Sequence, residues 1–159
     1  MKAPDLVFAY GNPSRGDDAL GPAFLERVAG CSDALIELIT DFQLQPEHAL
    51  DLVGRRRVLF VDASVSCAEP YEVVPLAPAP EAPVFSHALD PRALLAVFER
   101  IERTPAPRAW ALAIRGYGFE LGEPLSPKAQ ANLEAALAWA RGWLALPAAD
   151  IVELSEMET

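Results

Sequence analysis

Residues 5–22 read DLVFAYGNPSRGDDALGP, and the fold turns on how this stretch is parsed. The apolar run 5–10 has strand length and the Val, Phe and Tyr content of a buried strand. Gly11 and Gly16 punctuate a short turn, and beyond it Leu20, Phe24, Leu25 and Val28 share one helical face. Strand, glycine turn and helix in that order have the look of a phosphate loop. Such a loop works through backbone N–H groups, a helix N-terminus and usually a lysine. Here it ends in Asp17 and Asp18, and it also lacks the GxGxxG spacing of dinucleotide sites, so a nucleotide reading is set aside. Two acids in a first helical turn also complement the helix dipole, and alone they mean no more than that.

Strand-length apolar runs recur at 34–39, 57–61, 71–76 and 109–114. Helical periods lie between them: 46–53 groups Ala49, Leu50 and Val53, 90–103 groups Leu94, Leu95, Phe98 and Ile101, and a last helix spans 126 to about 145. Asp90-Pro91 and Ser126-Pro127 are each a cap followed by proline at the first helical position. This alternation predicts an α/β protein with a mostly parallel, doubly wound sheet covered on both faces, its ligands beyond the carboxyl ends of the strands. The run PLAPAPEAP, 75–83, is expected to be an extended surface connection outside any strand or helix interior. At 159 residues and 52% hydrophobic content the chain has room for one core, assigned to a single domain over 1–146. Residues 147–159 form an acidic tail.

A net charge of −10, with no basic cluster beyond Arg55, Arg56 and Arg57, repels nucleic acid phosphates and anionic lipid surfaces. No apolar run reaches the roughly 18 residues of a membrane span. Cys31 and Cys67 form no CxxC pair and are too few for a disulfide framework. The expectation is a cytoplasmic protein with no nucleic acid or membrane partner.

The chemistry-bearing residues are few. VLFVDAS, 58–64, puts Asp62 at the carboxyl end of a second buried strand, where it could share an edge with Asp18. FSHALDP, 85–91, puts His87 in a loop before a capped helix, a position that carries function more often than a strand does. Each has a plain alternative: Asp62 as a turn residue, His87 as a hydrogen-bonded surface histidine. Together Asp18, Asp62 and His87 offer two oxygens and one imidazole, a set suited to a borderline divalent metal with open positions. His48, beside Ala49 and Leu50, reads as structural. Gln43 and Glu47 read equally as helix caps or as cleft-lining residues, and the glycine-rich loop 116–126 could close over the same edge.

Taken in order, GNPSRGDDALGP, QLQPEHAL, VLFVDAS, FSHALDP and FELGEPLSP resemble the hydrogenase maturation proteases, endopeptidases that trim the large subunit of nickel–iron hydrogenases. The GNPSRGDD and QLQPE wording is most similar to members serving cytoplasmic, NAD-coupled bidirectional hydrogenases. The resemblance implies a three-layer α/β/α sandwich around a five-stranded sheet. It also implies a metal site at Asp18, Asp62 and His87, with Asp18 where some members carry Glu. The metal is nickel already seated in the substrate, the nickel-loaded large-subunit precursor, and cleavage removes a C-terminal extension. Either the nickel polarises carbonyl or water, or a carboxylate acts as base, for which Asp17 is a candidate beside its capping role. Two other functions stay open: a small-molecule metallohydrolase with a resident metal, and a non-enzymatic nickel-binding chaperone of the large subunit.

Overall fold

The computed structural model describes residues 2–30, 35–80 and 89–145. Five strands, β1 (Asp5–Tyr10), β2 (Ile36–Asp41), β3 (Arg57–Ser64), β4 (Tyr71–Leu76) and β5 (Arg108–Arg115), form one sheet in the order β2-β1-β3-β5-β4. All neighbours are parallel except β4, which runs antiparallel to β5 at the edge. Three α-helices pack on the sheet: α1 (Leu20–Ala29), α2 (Pro91–Glu102) and α3 (Pro127–Ala145). A 3₁₀ helix, Pro46–Leu52, is the fourth, and a 3₁₀ turn, Gly16–Ala19, leads into α1.

Period-two alternation sorts the strand side chains into two cores. Val7, Ala9, Leu59, Val61, Leu112 and Ile114 point to one face, under α1 and α3. Leu6, Phe8, Val58 and Phe60 point to the other, under α2 and the 3₁₀ helix. Most of these residues are wholly inaccessible, and each such Leu or Phe contributes about 1.5–3 kcal/mol. β1 and β3 carry runs of buried residues because both of their faces are covered. The tight seam between α1 and β1 depends on Gly21, where a Cβ would lie 2.4 Å from the Tyr10 carbonyl oxygen.

Both expected caps are present. Asp90 Oδ1 accepts from Arg92 N–H at 2.8 Å, and Ser126 Oγ accepts from Ala129 N–H at 3.3 Å. Three expectations are corrected. Leu50 is 62% exposed while Leu52 is fully buried, because segment 46–52 winds with three residues per turn and so brings Ala49 and Leu52 onto one face. Ile101 is 57% exposed; it falls in the last turn of α2, where the chain leaves through the left-handed Arg103. Pro75 lies inside β4, which tolerates it as an edge strand.

At the opposite end of the strands from the carboxyl edge, Asp5 and Arg57 form a buried ion pair at 2.9 Å. Arg57 also donates to the Trp143 carbonyl oxygen and lies over its ring, tying the end of α3 to the sheet. Arg56 adds a second, more exposed cation to Asp5.

Candidate functional site

The chain leaves β1 to one side for β2 and then crosses to the other side for β3, so the topological switch lies between β1 and β3. In open α/β sheets this crevice is where ligands bind. Asp18 and Asp62 both lie at this edge, near enough for the charge of Asp18 to act on Asp62. Asp18 stands in the 3₁₀ turn that follows β1 and packs on β3; Asp62 stands one residue beyond the last β1–β3 pair, Ala9 with Val61.

Local geometry fixes both. Gly11 has φ +146°, and a Cβ there would lie 2.1 Å from the Asp18 carbonyl oxygen, so only glycine lets the turn fold back this closely. Asn12 N–H then donates to Asp18 Oδ2 at 2.7 Å, while the Asn12 carboxamide oxygen accepts from Ser14 N–H. Asp62 Oδ1 accepts from Ala63 N–H at 2.8 Å. In the pleat Asp62 continues the row of Val58 and Phe60, and Tyr10 continues that of Leu6 and Phe8, so both turn toward the α2 face.

Electrostatics marks the pair. Burial pushes the Asp62 carboxyl up to about 8; the Ala63 N–H opposes this, and the charge of Asp18 adds to it. Burial, then the charges of Asp62 and Asp90, hold the Tyr10 phenol well above its ordinary range. Tyr10, Asp62 and the start of α2 therefore share one neighbourhood.

Asp17, adjacent to Asp18, has a different environment. It is fully buried and accepts from Tyr117 N–H, Gly118 N–H, Ser126 N–H and Ser126 Oγ–H at 2.7–3.1 Å. Burial alone would raise its pKa, but the hydrogen bonds from Ser126, Tyr117 and Gly118 together outweigh it and hold the carboxyl below the usual range. Backbone bonds from Gly16 to Glu123 and from Gly122 to Ser14 fasten the same loop, 116–126, to the turn that carries Asp18. That loop lies on the site edge, as its sequence suggested.

His48 is buried: Nδ1 accepts from Gln45 N–H at 2.8 Å and Nε2 faces Asp41 Oδ2 at 3.1 Å. The cap of this segment is thus Gln45 paired with His48. Gln43 is partly exposed after β2, and Glu47 is exposed. His87 and Cys31 lie outside the described residues, as does the tail from 146. Cys67 is buried and free. Among the described residues no three His, Cys, Asp or Glu side chains cluster closely enough to hold a metal, and no helix is long and apolar enough to cross a membrane. Sequence reasoning missed the Asp17 network and Tyr10; the signal for the latter was its place at the end of β1.

The chain is thus an α/β/α sandwich with two carboxylates at the switch point of its sheet. No family model matches it, and no curated protein matches its sequence. Solved structures do share the fold. The hydrogenase-maturating endopeptidase HybD from E. coli superposes with a TM-score of 0.70 at 21% identity, covering 91% of this chain and 92% of that one. The nickel–iron hydrogenase maturation protease HycI from Thermococcus kodakarensis KOD1 gives 0.68 at 21%, covering 90% and 93%. HybD from Thermococcus kodakarensis gives 0.63 at 22%, covering 91% and 99%. At these identities the likeness is one of fold.

Proposed function

We propose that the protein is an endopeptidase that removes the C-terminal extension of a nickel–iron hydrogenase large-subunit precursor after nickel insertion. The observation that supports this reading is the placement of Asp18 and Asp62 at the same strand-end edge, in a fold shared with solved maturation endopeptidases over about nine-tenths of the chain. Two neighbouring carboxylates, one desolvated, make a site that gains from an incoming cation.

In this reading Asp18, Asp62 and His87 recognise the nickel. His87, outside the described residues, precedes by three positions in sequence Asp90, the cap that opens α2. Two oxygens and one nitrogen, with no thiolate, can share a nickel presented by the precursor without stripping it from softer ligands. The metal belongs to the substrate and would serve as Lewis acid for hydrolysis, in which water adds to the scissile carbonyl, the C–N bond breaks and a proton of that water passes to the leaving amine. Asp17, the candidate base, has its oxygens occupied by four donors, so we assign it to holding the turn that presents Asp18. The GNPSRGDD and QLQPE wording favours a cytoplasmic, NAD-coupled hydrogenase as the client.

The test is to incubate the protein with a nickel-loaded, C-terminally extended large subunit and weigh the product by mass spectrometry. Loss of the extension is expected from the unaltered protein and not from Asp62→Asn. Full processing by Asp62→Asn would overturn the assignment.

A further inference from the structure

We infer that Asp41 and His48 form a brace that positions Asp18, so that both are positioning residues of the site. The connection is continuous. His48 Nδ1 accepts from Gln45 N–H, which as a backbone amide can only donate; the ring is therefore the neutral tautomer with its proton on Nε2. That proton is donated to Asp41 Oδ2 at 3.1 Å, while Asp41 Oδ1 accepts from Phe42 N–H at 2.7 Å. The same residue's carbonyl oxygen accepts from Gly11 N–H at 3.1 Å, one position beyond the end of β1. Gly11 packs on the Asp18 main chain, and the next amide, Asn12 N–H, donates to Asp18 Oδ2.

The ring is held from a second side as well, since the Phe8 ring meets it edge-on with centroids 4.7 Å apart. A buried imidazole fixed at both nitrogens and by an aromatic neighbour has one orientation. Asp41 is exposed, and without the ring its side chain would turn freely in water. The brace passes the rigidity of the β1 core to the end of β2, and from there to the glycine turn. Asp41 thus serves the turn through its main chain while its side chain keeps that main chain in place.

The isosteric substitution Asp41→Asn isolates this role. His48 Nε2–H and Phe42 N–H both donate, each to a different oxygen, and a carboxamide has only one oxygen. Whichever way the amide turns, one of the two bonds is lost, while the His48–Gln45 cap stays intact.

Two measurements on the full chain test the brace. In the first, amide hydrogen exchange and 1H–15N shifts of Gly11 and Asn12 are compared between the unaltered protein and Asp41→Asn. Several-fold faster Gly11 exchange and a displaced Asn12 resonance are expected, with the melting temperature changed by less than about 4 °C. Unchanged Gly11 and Asn12 amides overturn the brace, whatever the protein's activity. The second rests on the function proposed above: steady-state cleavage of nickel-loaded precursor. Here kcat should fall roughly 10-fold or more with KM little changed, because displacement of a recognition carboxylate acts on the reacting geometry. His48→Ala should show the same split if it folds; Asp41→Asn decides the matter if it does not. Absence of cleavage by the unaltered protein counts against the proposed function and leaves the amide measurement to judge the brace; cleavage with an unaltered kcat in Asp41→Asn overturns the brace alone.

Discussion

The Asp17 carboxylate holds Ser126 through both its backbone N–H and its hydroxyl, at 2.7 and 2.8 Å, so α3 begins from the turn that presents Asp18. Ser126 is in turn the cap of α3, and Tyr117 and Gly118 donate to the same carboxylate. One buried side chain thus joins the first turn of the protein to the last loop and the last helix.

Asp17→Asn should therefore destabilise the fold by about 1–3 kcal/mol, since an amide cannot accept all four bonds and leaves buried donors unsatisfied. The pH dependence follows from the lowered pKa. A carboxyl depressed in the folded state contributes stability in full above its unfolded value of about 3.9, and loses it as pH falls through the folded value. Urea titrations at pH 7 and pH 3 should show a smaller gap between variant and unaltered protein at the lower pH. An equal gap would contradict this account of Asp17.

Asp62 has the opposite sign. Its folded pKa of about 8 lies above the unfolded value of about 3.9, so the native state holds the proton more tightly and stability falls as pH rises between them. In the metal-free protein Asp62→Asn removes this penalty while its carboxamide oxygen can still accept from Ala63 N–H. A higher melting temperature than the unaltered protein at pH 8.5, with a narrower difference at pH 5, is expected by calorimetry. A lower melting temperature at pH 8.5 would rule out desolvation as the dominant effect.

Gly21→Ala sets two effects against each other. Alanine gains about 1 kcal/mol of helix propensity. Its Cβ would lie 2.4 Å from Tyr10 O and 3.1 Å from Tyr10 N, both backbone atoms, so α1 must move off β1 at a cost of about 1–3 kcal/mol or more. Net destabilisation in urea is expected; a stabilised variant would show that the seam is looser than described.

At the other end of the sheet, Asp5→Ala leaves Arg57 buried without its carboxylate. The loss should be about 3–5 kcal/mol. Because this cluster sits at the amino ends of β1 and β3, whatever protein remains folded should keep its activity per folded molecule. Activity normalised to the folded fraction by circular dichroism makes the comparison.

β1 and β3 were legible because parallel strands covered on both faces are written as continuous apolar runs, and the edge strand β4 also falls within the expected limits. The caps at Asp90 and Ser126 were legible because capping is local chemistry. Ala49, Leu50 and Val53 were grouped on a period of 3.6; Ala49 is buried and Val53 packs against the core, whereas the period of three turns Leu50 outward and buries Leu52. The Asp17 network was not legible, since its partners lie 100 to 109 residues away and consist mostly of backbone N–H groups, which carry no sequence signal. The neighbourhood of Asp18 and Asp62 could be anticipated from strand ends and the rule of the switch point. Asp18, partly exposed, and Asp17, fully buried, are adjacent in sequence, and only the fold separates their roles.

The most direct measurement compares nickel-loaded and nickel-free large-subunit precursor, each carrying its C-terminal extension, incubated with the same protein and weighed by mass spectrometry over time. The loaded precursor should lose a single C-terminal fragment while the nickel-free precursor keeps its full mass, even at high protein concentration. Equal trimming of both would contradict recognition of nickel through Asp18, Asp62 and His87, and would point to a carboxylate protease that does not read the metal.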